Sequence, residues 1–428
     1  MLTALLWFVL IVPGFAPAPQ QSVYEKDFEF AVAEIEKSCG GLTAKKKIDL
    51  EAVAKELAPV AKAAQTDQDH LMLLIRLLAR LHDGHAAVRP SEKTKDVQLA
   101  GDGRPEKTGC GMFWCVSGKK VLVKSVWNNA ASAGIEPGWE VVSVGGVPAA
   151  KWLDARVALL RDTISYSTDH QALFATCHWG LAEPAGTTLE YEFKDDKGAK
   201  KKRSVTFAKA STVPSGPPKF PEGLEQADDV QFGLLPSGYG YIHIRRCKDE
   251  LPQLMDRALA KVGSAKGLVI DFRANCGGGF DHDAFLGRFV PKGQTLAGRY
   301  ESAGPNPYGG PIVVIVDAGV RSAGETGAGI FKEDGRAYMI GETATAGMSS
   351  QKTEIQLPSG LYSLYVSINS NMGRFNGGKG IEGLGVPPHE LVAYDAKDLA
   401  AGVDTLLRRA EALLDKFPQA AVPYRAAK

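Results

Sequence analysis

A serine and a small-residue helix follow directly on an apolar strand. The run Ile312 to Val316 is apolar and β-branched, which predicts a buried parallel strand. A polar turn, Asp317 to Arg321, comes next, and Ser322 opens a segment that predicts a helix to Phe331. At such a junction a serine hydroxyl can face a cleft, with backbone N–H groups aimed the same way. Acyl transfer requires both features, although a serine in this position can equally cap the helix.

Three consecutive glycines follow a second buried strand. The predicted strand spans Gly267 to Phe272. After it the chain passes through Asn275 to Gly277, Gly278 and a third glycine. The run predicts unusual dihedral angles, either in a loose loop or in a nest of N–H groups that binds negative charge. Ligands of open α/β sheets bind at the carboxyl ends of the strands, where Ser322 is also expected.

Together these stretches resemble the S41 family of serine peptidases, the C-terminal processing and tricorn-core proteases. The family pattern Asp-hydrophobic-Arg-x-Asn-x-Gly-Gly is matched by 271–278, Ser-Ala-x-Glu by 322–325, and Gly-Glu-Thr ending in Gln by 341–351. The C-terminal processing branch has a lysine base four residues before that glutamine, and Gly347 stands there in this chain. The Ser–Lys dyad is therefore missing, as in the tricorn-core and retinoid-binding branches. Lys352 lies out of phase with the family lysine.

His85 is the expected general base. The third of three helices predicted between Val23 and Leu81 ends in a sequence that matches the Leu-x-Asp-Gly-His pattern of tricorn-type relatives at Leu81, Asp83, Gly84 and His85. An ordinary histidine has a pKa close to neutrality, which suits a general base. His82 is the competitor and ranks lower, because a histidine beside glycine is freer to enter a cleft. A serine precedes this histidine in tricorn, so the orienting group must come from elsewhere here.

The resemblance implies roles for further residues. Gly277, Gly278 and the N–H of Ala323 are expected to form the oxyanion hole. Glu382 lies in a stretch that resembles the family's Glu-x-x-Gly-Val-x-Pro and is expected to support His85, although an exposed loop glutamate fits the spacing nearly as well. No metal or cofactor is implied.

The segment from Lys107 to about Ala210 differs in character and resembles a PDZ domain over 130–146. PDZ domains add an extended peptide as a strand and hold its terminal carboxylate in a glycine-rich loop. Cys110, Gly111 and Met112 are the expected peptide-binding residues, and a β module that docks on the core without a ligand is the alternative.

An apolar run near the N-terminus predicts an export signal. Residues 1–20 contain the run Leu2 to Val12 followed by small residues, which is too short to span a bilayer. The formal net charge is +1, so nothing indicates nucleic acid or an anionic membrane as a partner. The cysteines have no metal-binding spacing, and some could pair if the chain is exported: Cys39, Cys110, Cys115, Cys177, Cys247 and Cys276.

The expected fold is α/β, with a ClpP/crotonase-like twisted core sheet, an N-terminal helical domain and an inserted PDZ-like β module. The predicted divisions are a signal peptide (1–20), a helical domain (21–100), a PDZ-like domain (105–212) and an S41 core (222–428) closed by one helix over 396–416. The expected function is that of an exported serine endopeptidase acting on proteins or peptides, as a monomer or an oligomer. An inactive peptide-binding protein and a carrier of small hydrophobic ligands are the alternatives, and an approach of His85 to Ser322 would favour the enzyme.

Overall fold

The computed structural model describes residues 21–97, 107–208 and 216–417. The predicted signal peptide lies outside these residues, as do the ends of the predicted middle domain. The chain folds as a mixed α/β protein, as expected. Among the described residues, no helix is both long enough and apolar enough to cross a bilayer.

A seven-stranded sheet forms the centre of the C-terminal half. Its order is β10-β11-β12-β13-β16-β17-β20, with parallel pairing from β12 to β20 and antiparallel pairing at the β10 edge. The strands are β10 (Glu225–Ala227), β11 (Val230–Leu234), β12 (Gly240–Ile244), β13 (Leu268–Asp271), β16 (Ile312–Val316), β17 (Tyr338–Gly341) and β20 (Glu390–Leu391). The two predicted β-branched strands are thus neighbours, and their carboxyl ends meet at one edge.

Both faces of this sheet are covered, which explains why its strands are apolar throughout. Alternate residues such as Val314 pack against one helical layer, and the intervening ones such as Val313 pack against a second layer on the opposite face. The first layer is α7 (Leu251–Val262), α8 (His282–Gly287) and α9 (Ala323–Glu333), and the second is α10 (Ala396–Ala400) and α11 (Thr405–Leu414). In the chain, a short hairpin of β14 (Thr295–Leu296) and β15 (Tyr300–Glu301) comes after β13 and before β16.

The middle part of the chain has its own antiparallel sheet and apolar cluster. The sheet order is β3-β4-β5-β8-β9, with β6 paired to β5. The helices and strands of this part of the chain are β2 (Lys107–Thr108), β3 (Met112–Ser117), β4 (Lys120–Val126), α4 (Asn128–Ser132), β5 (Glu140–Val144), β6 (Val147–Pro148), α5 (Ala149–Arg161), α6 (Asp169–Cys177), β7 (Glu183–Pro184), β8 (Thr188–Lys194) and β9 (Lys200–Thr206). We call residues 107–208 the middle module.

The N-terminal helices share their core with a distant hairpin. Strand β1 (Ala87–Pro90) pairs with β19 (Tyr362–Asn369), which pairs with β18 (Gln351–Gln356). The helices α1 (Val23–Lys45), α2 (Leu50–Ala63) and α3 (Asp67–Ala79) pack on this sheet through one apolar cluster. The predicted helical domain therefore has no separate core, and its last turn is held against the C-terminal half.

One sequence-based expectation needs correction, and one question that the sequence left open, the pairing of the cysteines, has an answer. The single closing helix is divided into α10 and α11, because Asp404 begins a new helix by accepting the N–H groups of Leu406 and Leu407. All six cysteines are unpaired, and five of them are buried.

A buried arginine connects the core sheet to the closing helix. Arg273 binds Asp271 and Asp404, each at 2.6 Å, and donates to the Tyr394 hydroxyl at 3.0 Å. Its side chain and that of Asp271 are fully buried. Each charge is compensated only while the other side chains stay in place.

We expect Arg273→Met to lower the free energy of unfolding by about 3–5 kcal/mol, because it leaves two buried carboxylates unpaired. Arg299→Met is the matched control, since the Arg299–Asp283 pair is more than half exposed at both ends. The control should cost about 1 kcal/mol or less. Urea unfolding measures both changes, and equal losses would contradict the structural role of Arg273.

Candidate active site

Ser322 lies between β16 and α9, as predicted, and its backbone is strained. Its φ and ψ are 56° and −127°, a conformation that residues with a side chain rarely adopt. Such strain costs about 1–3 kcal/mol and persists only where the surroundings enforce it. Two contacts hold the Ser322 N–H, one with the carbonyl of Met348 at 2.9 Å and one with Glu325 Oε2 at 3.2 Å.

Buried Glu325 connects the serine turn to the loop after β17. Its carboxylate accepts hydrogen bonds from Thr345 Oγ1 at 2.6 Å, the N–H of Gly347 at 2.7 Å and the N–H of Met348 at 2.9 Å, besides the bond from Ser322. Burial raises the pKa of Glu325 to about 8, while the donors act in the opposite direction. With both oxygens fully engaged, the side chain fixes the distance between the two segments.

The glycine loop packs directly against Ser322. A Cβ on Gly277 would lie 2.7 Å from the Ser322 Cβ, and one on Gly278 would lie 1.7 Å from the carbonyl oxygen of Cys247. Buried Asn275 shapes the loop, because its Oδ1 accepts the Gly277 N–H at 2.9 Å. A side chain at Gly324 would also meet this oxygen, at 2.3 Å, so the small residue there is required.

The loop geometry separates the three expected oxyanion donors. The N–H of Gly277 is already engaged by Asn275. Among the residues that the structure describes, no acceptor binds the N–H of Gly278 or of Ala323. The N–H groups of Gly278 and Ala323 are therefore free to bind an oxyanion. Gly277 has a different role, because its lack of a side chain lets the loop approach Ser322.

Gly347 occupies a position that a long side chain could not share. Its φ is +80°, and a Cβ there would lie 2.6 Å from Thr168 Cγ2 and 3.0 Å from the Gly385 nitrogen. The direction that a lysine at this position would take is therefore filled by the middle module and by the 380s loop. The absence of the dyad lysine is built into the packing.

The structure places the turn that carries His85 against the loop that binds Ser322. It lies in the turn between α3 and β1, where its N–H binds Asp83 Oδ1 at 3.0 Å. The neighbouring Gly84 packs on Met348, whose Sδ is 2.9 Å from the position of a Cβ on Gly84. Met348 therefore contacts both the His85 turn and the Ser322 turn, because its carbonyl also accepts the Ser322 N–H. The competitor, His82, is exposed.

The pKa of His85 departs from the ordinary value that the sequence suggested. Burial lowers it to about 4, helped by the positive charges of Lys352 and Arg321 and opposed by Asp83. The folded protein therefore keeps His85 neutral down to acidic pH. Because the unfolded chain binds this proton near the ordinary value of 6.5, His85 makes stability fall as the pH drops from about 6.5 to about 4.

Lys352 is a neighbour of His85 and not a free base beside Ser322. Lys352 lies on strand β18, and its Nζ donates to the carbonyl of Ser350 at 2.9 Å. Its charge is the largest electrostatic influence on the pKa of His85. Lys352 thus acts on the histidine from outside the serine turn.

Glu382 is fully buried beside His85. Its Oε1 accepts hydrogen bonds from Lys46 Nζ at 2.8 Å and from Ser167 Oγ at 3.0 Å. One donor atom each of Asp83, His85 and Glu382 lie within 4.8 Å of one another. Such a group could hold a cation, but Asp83 is already occupied by the N–H and hydroxyl of Ser367, and Lys46 already balances Glu382. The arrangement suits a histidine–carboxylate pair better than a metal centre.

The expected peptide-binding residues of the middle module are not available to a peptide. Cys110 and Met112 are each 1% exposed, and Gly111 is also buried. The Gly111 carbonyl accepts the N–H of Trp127, and a Cβ on Gly111 would lie 2.2 Å from the Trp127 carbonyl oxygen. The loop is filled by the module's own chain, which corrects the prediction for these three residues.

Sequence reasoning missed the polar residues that hold the site together. These are Lys46 at the end of α1 and Ser165 and Ser167 before α6. Ser167 is separated from Glu382 by 215 positions and Lys46 by 336, so no local pattern could have joined them.

Two solved structures share the fold of this chain. The chain resembles mature CPAF with a TM-score of 0.63 and 13% identity, over 92% of this chain and 95% of that one. It resembles a putative peptidase from Parabacteroides merdae ATCC 43184 with a TM-score of 0.53 and 15% identity, over 93% and 99% of the two chains. A search of curated proteins found no match.

The protein is a serine-type peptidase, which is a hydrolase of peptide bonds in proteins or peptides. Residues 238–392 match the model of Peptidase family S41, which confirms the resemblance seen in the sequence motifs. The matched range includes Ser322, Gly278 and Glu382. It does not include His85 or the middle module.

Peptide cleavage should lose activity at acidic pH as His85 becomes protonated, and we call this fall of kcat/KM the acidic limb of its pH profile. We expect Lys352→Met to move the acidic limb to higher pH, because it removes a charge that lowers the pKa of His85. Turnover at alkaline pH should stay close to that of the unmodified chain. Lys261→Met, on the remote helix α7, is the control and should leave the profile unchanged. A loss of about 10²–10⁴-fold at every pH in Lys352→Met would instead identify Lys352 as the base.

Proposed function

We propose that the protein is a serine endopeptidase in which Ser322 attacks the peptide carbonyl and His85 is the general base. The observation that carries the proposal is the packing of the His85 turn on Met348, whose carbonyl binds the Ser322 N–H at 2.9 Å. The alternatives, an inactive peptide-binding protein and a carrier of small hydrophobic ligands, give no reason for this approach.

In the proposed reaction, His85 takes the proton of the Ser322 hydroxyl as its oxygen attacks the carbonyl carbon. The N–H groups of Gly278 and Ala323 stabilise the oxyanion that forms, because neither has an acceptor among the described residues. His85 then gives the proton to the leaving amine. Water hydrolyses the acyl-enzyme by the same steps, while Glu382 stabilises the imidazolium during each transfer.

A groove beside Ser322 is the proposed seat of the substrate chain. It has a volume of about 680 Å³ and runs between α5, α6 and the turn that carries Ala318, Gly319 and Arg321. Leu159 and Trp179 line it and are 61% and 56% exposed. Because the groove is continuous with the serine turn, we infer that it holds a bulky apolar side chain close to the scissile bond.

We further propose that the core sheet has the ClpP/crotonase-like arrangement and that the middle module is a PDZ-type β module that docks on the core. Its buried residues 110–112 favour docking over capture of a peptide terminus. Export also remains a proposal, supported by the apolar run in residues 1–20. Cell fractionation with mass spectrometry of the protein tests it, since a chain found only in the cytoplasm with its leader intact would contradict export.

We expect Ser322→Ala to abolish cleavage of an unfolded protein substrate, and His85→Ala to reduce it by about 10²–10⁴-fold. Ser22→Ala is the matched control, because Ser22 also begins a helix and caps it. If Ser322 were merely a cap, both serine variants would lose only about 1 kcal/mol of stability and would remain active. Thermal unfolding monitors the stability of all three variants.

We expect Leu159→Glu to lower kcat/KM by on the order of tenfold for peptides with leucine or phenylalanine near the cleavage site, because a charge then lies in the groove. Peptides with alanine there should be much less affected. Leu391→Glu is the control, since Leu391 is 69% exposed and lies outside the groove. Activity that depends on Ser322 but shows no such difference would refute the groove assignment and not the peptidase.

A further inference from the structure

The two oxygens of Glu382 have unequal surroundings. Oε1 accepts two hydrogen bonds, from Lys46 and Ser167. Oε2 is buried and has no partner among residues 21–97, 107–208 and 216–417, and the same holds for Nδ1 of His85. Burying a polar atom without a partner is costly, and the ligand atoms of His85 and Glu382 lie within 4.8 Å of one another. The geometry therefore points to Oε2 as the oxygen that accepts a hydrogen bond from the Nδ1–H of His85 during the reaction.

Ser167 fills the space that a side chain at position 84 would take. Its Oγ is 3.2 Å from the position of a Cβ on Gly84 and accepts the Gly84 N–H at 2.8 Å. A hydroxyl that accepts this bond has its own proton left to donate, and Glu382 Oε1 lies 3.0 Å away. The 4% exposed Ser167 thus connects the histidine turn directly to the carboxylate.

The residues around Ser167 hold the same two loops. Ser165 Oγ accepts the N–H of Asp83 at 2.8 Å. On the other side, Thr168 Oγ1 donates to the carbonyl of Ala346 at 2.9 Å, and His170 Nε2 lies 2.7 Å from the carbonyl of Thr345. Residues 165–170 of the middle module therefore bind the turn that carries His85 and the loop that binds Ser322.

We propose that Ser167 is a positioning residue for catalysis, whose hydroxyl holds Oε1 of Glu382 so that Oε2 faces His85. The proposal rests on the proposed function, because it gives Glu382 its task in that reaction. It also makes the middle module part of the active site, since the orienting hydroxyl is absent unless the module is docked.

Lys46 alone does not complete this arrangement. Its Nζ binds Glu382 Oε1 from α1 and also binds the carbonyl of His82, so it holds the carboxylate from one side. Burial raises the pKa of Glu382, whereas Lys46 and Ser167 both lower it. Removing Ser167 should therefore loosen the orientation of the carboxylate and make it easier to protonate.

The test compares Ser167→Ala with Ser165→Ala, whose hydroxyl binds the same turn without touching Glu382. We expect Ser167→Ala to lower kcat by about 10–100-fold, as for the loss of a hydrogen bond to a charged group. KM should change little, and the acidic limb should move to higher pH because Glu382 is protonated more easily. Ser165→Ala should keep the unmodified pH profile, and Ser167→Thr, which restores the hydroxyl, should recover it.

A measurement that does not require turnover completes the test. Proton NMR of the His85 ring should show a downfield Nδ1–H signal at neutral pH in the unmodified chain and in Ser165→Ala, and a weakened one in Ser167→Ala. Equal kcat losses and equal profiles for the two alanine variants, or an unchanged Nδ1 signal in Ser167→Ala, would overturn the proposal. Failure of the proposed function is distinguished by activity that survives Ser322→Ala.

Discussion

The buried carboxylate of Glu325 is the interaction on which the site depends. A polar group without solvent must receive hydrogen bonds, and Glu325 receives them from Thr345, Gly347, Met348 and Ser322. These donors fix the loop after β17 at the start of α9 and hold Ser322 at its positive φ. The strain at the serine is thus balanced by bonds that only this arrangement makes.

The loop held by Glu325 is also the surface on which the other parts of the chain meet. Gly84 packs on Met348, and Thr168 binds Ala346. Histidine, serine and carboxylate come from segments far apart in the sequence, so their mutual position is set by these few contacts. These contacts form only when the helices, the middle module and the core are docked together.

Two local motifs carried most of what could be predicted. The β-branched run 312–316 and the small residues after Ser322 specify a buried strand and a tightly packed helix, and both lie where expected. The glycines at 277 and 278 are required by contacts with Ser322 and Cys247 that leave no room for a Cβ. These features are local in sequence, because backbone conformation and close approach restrict the residue types at each position.

The sequence by itself determined the resemblance to the S41 family, the α/β class, the strand–turn–helix around Ser322 and the absence of the dyad lysine at Gly347. Only the tertiary structure decided that residues 110–112 are buried, that Lys46 and Ser167 hold Glu382, and that burial lowers the pKa of His85 to about 4. Burial and long-range hydrogen bonds depend on segments that folding brings together, so neither leaves a local pattern in the sequence.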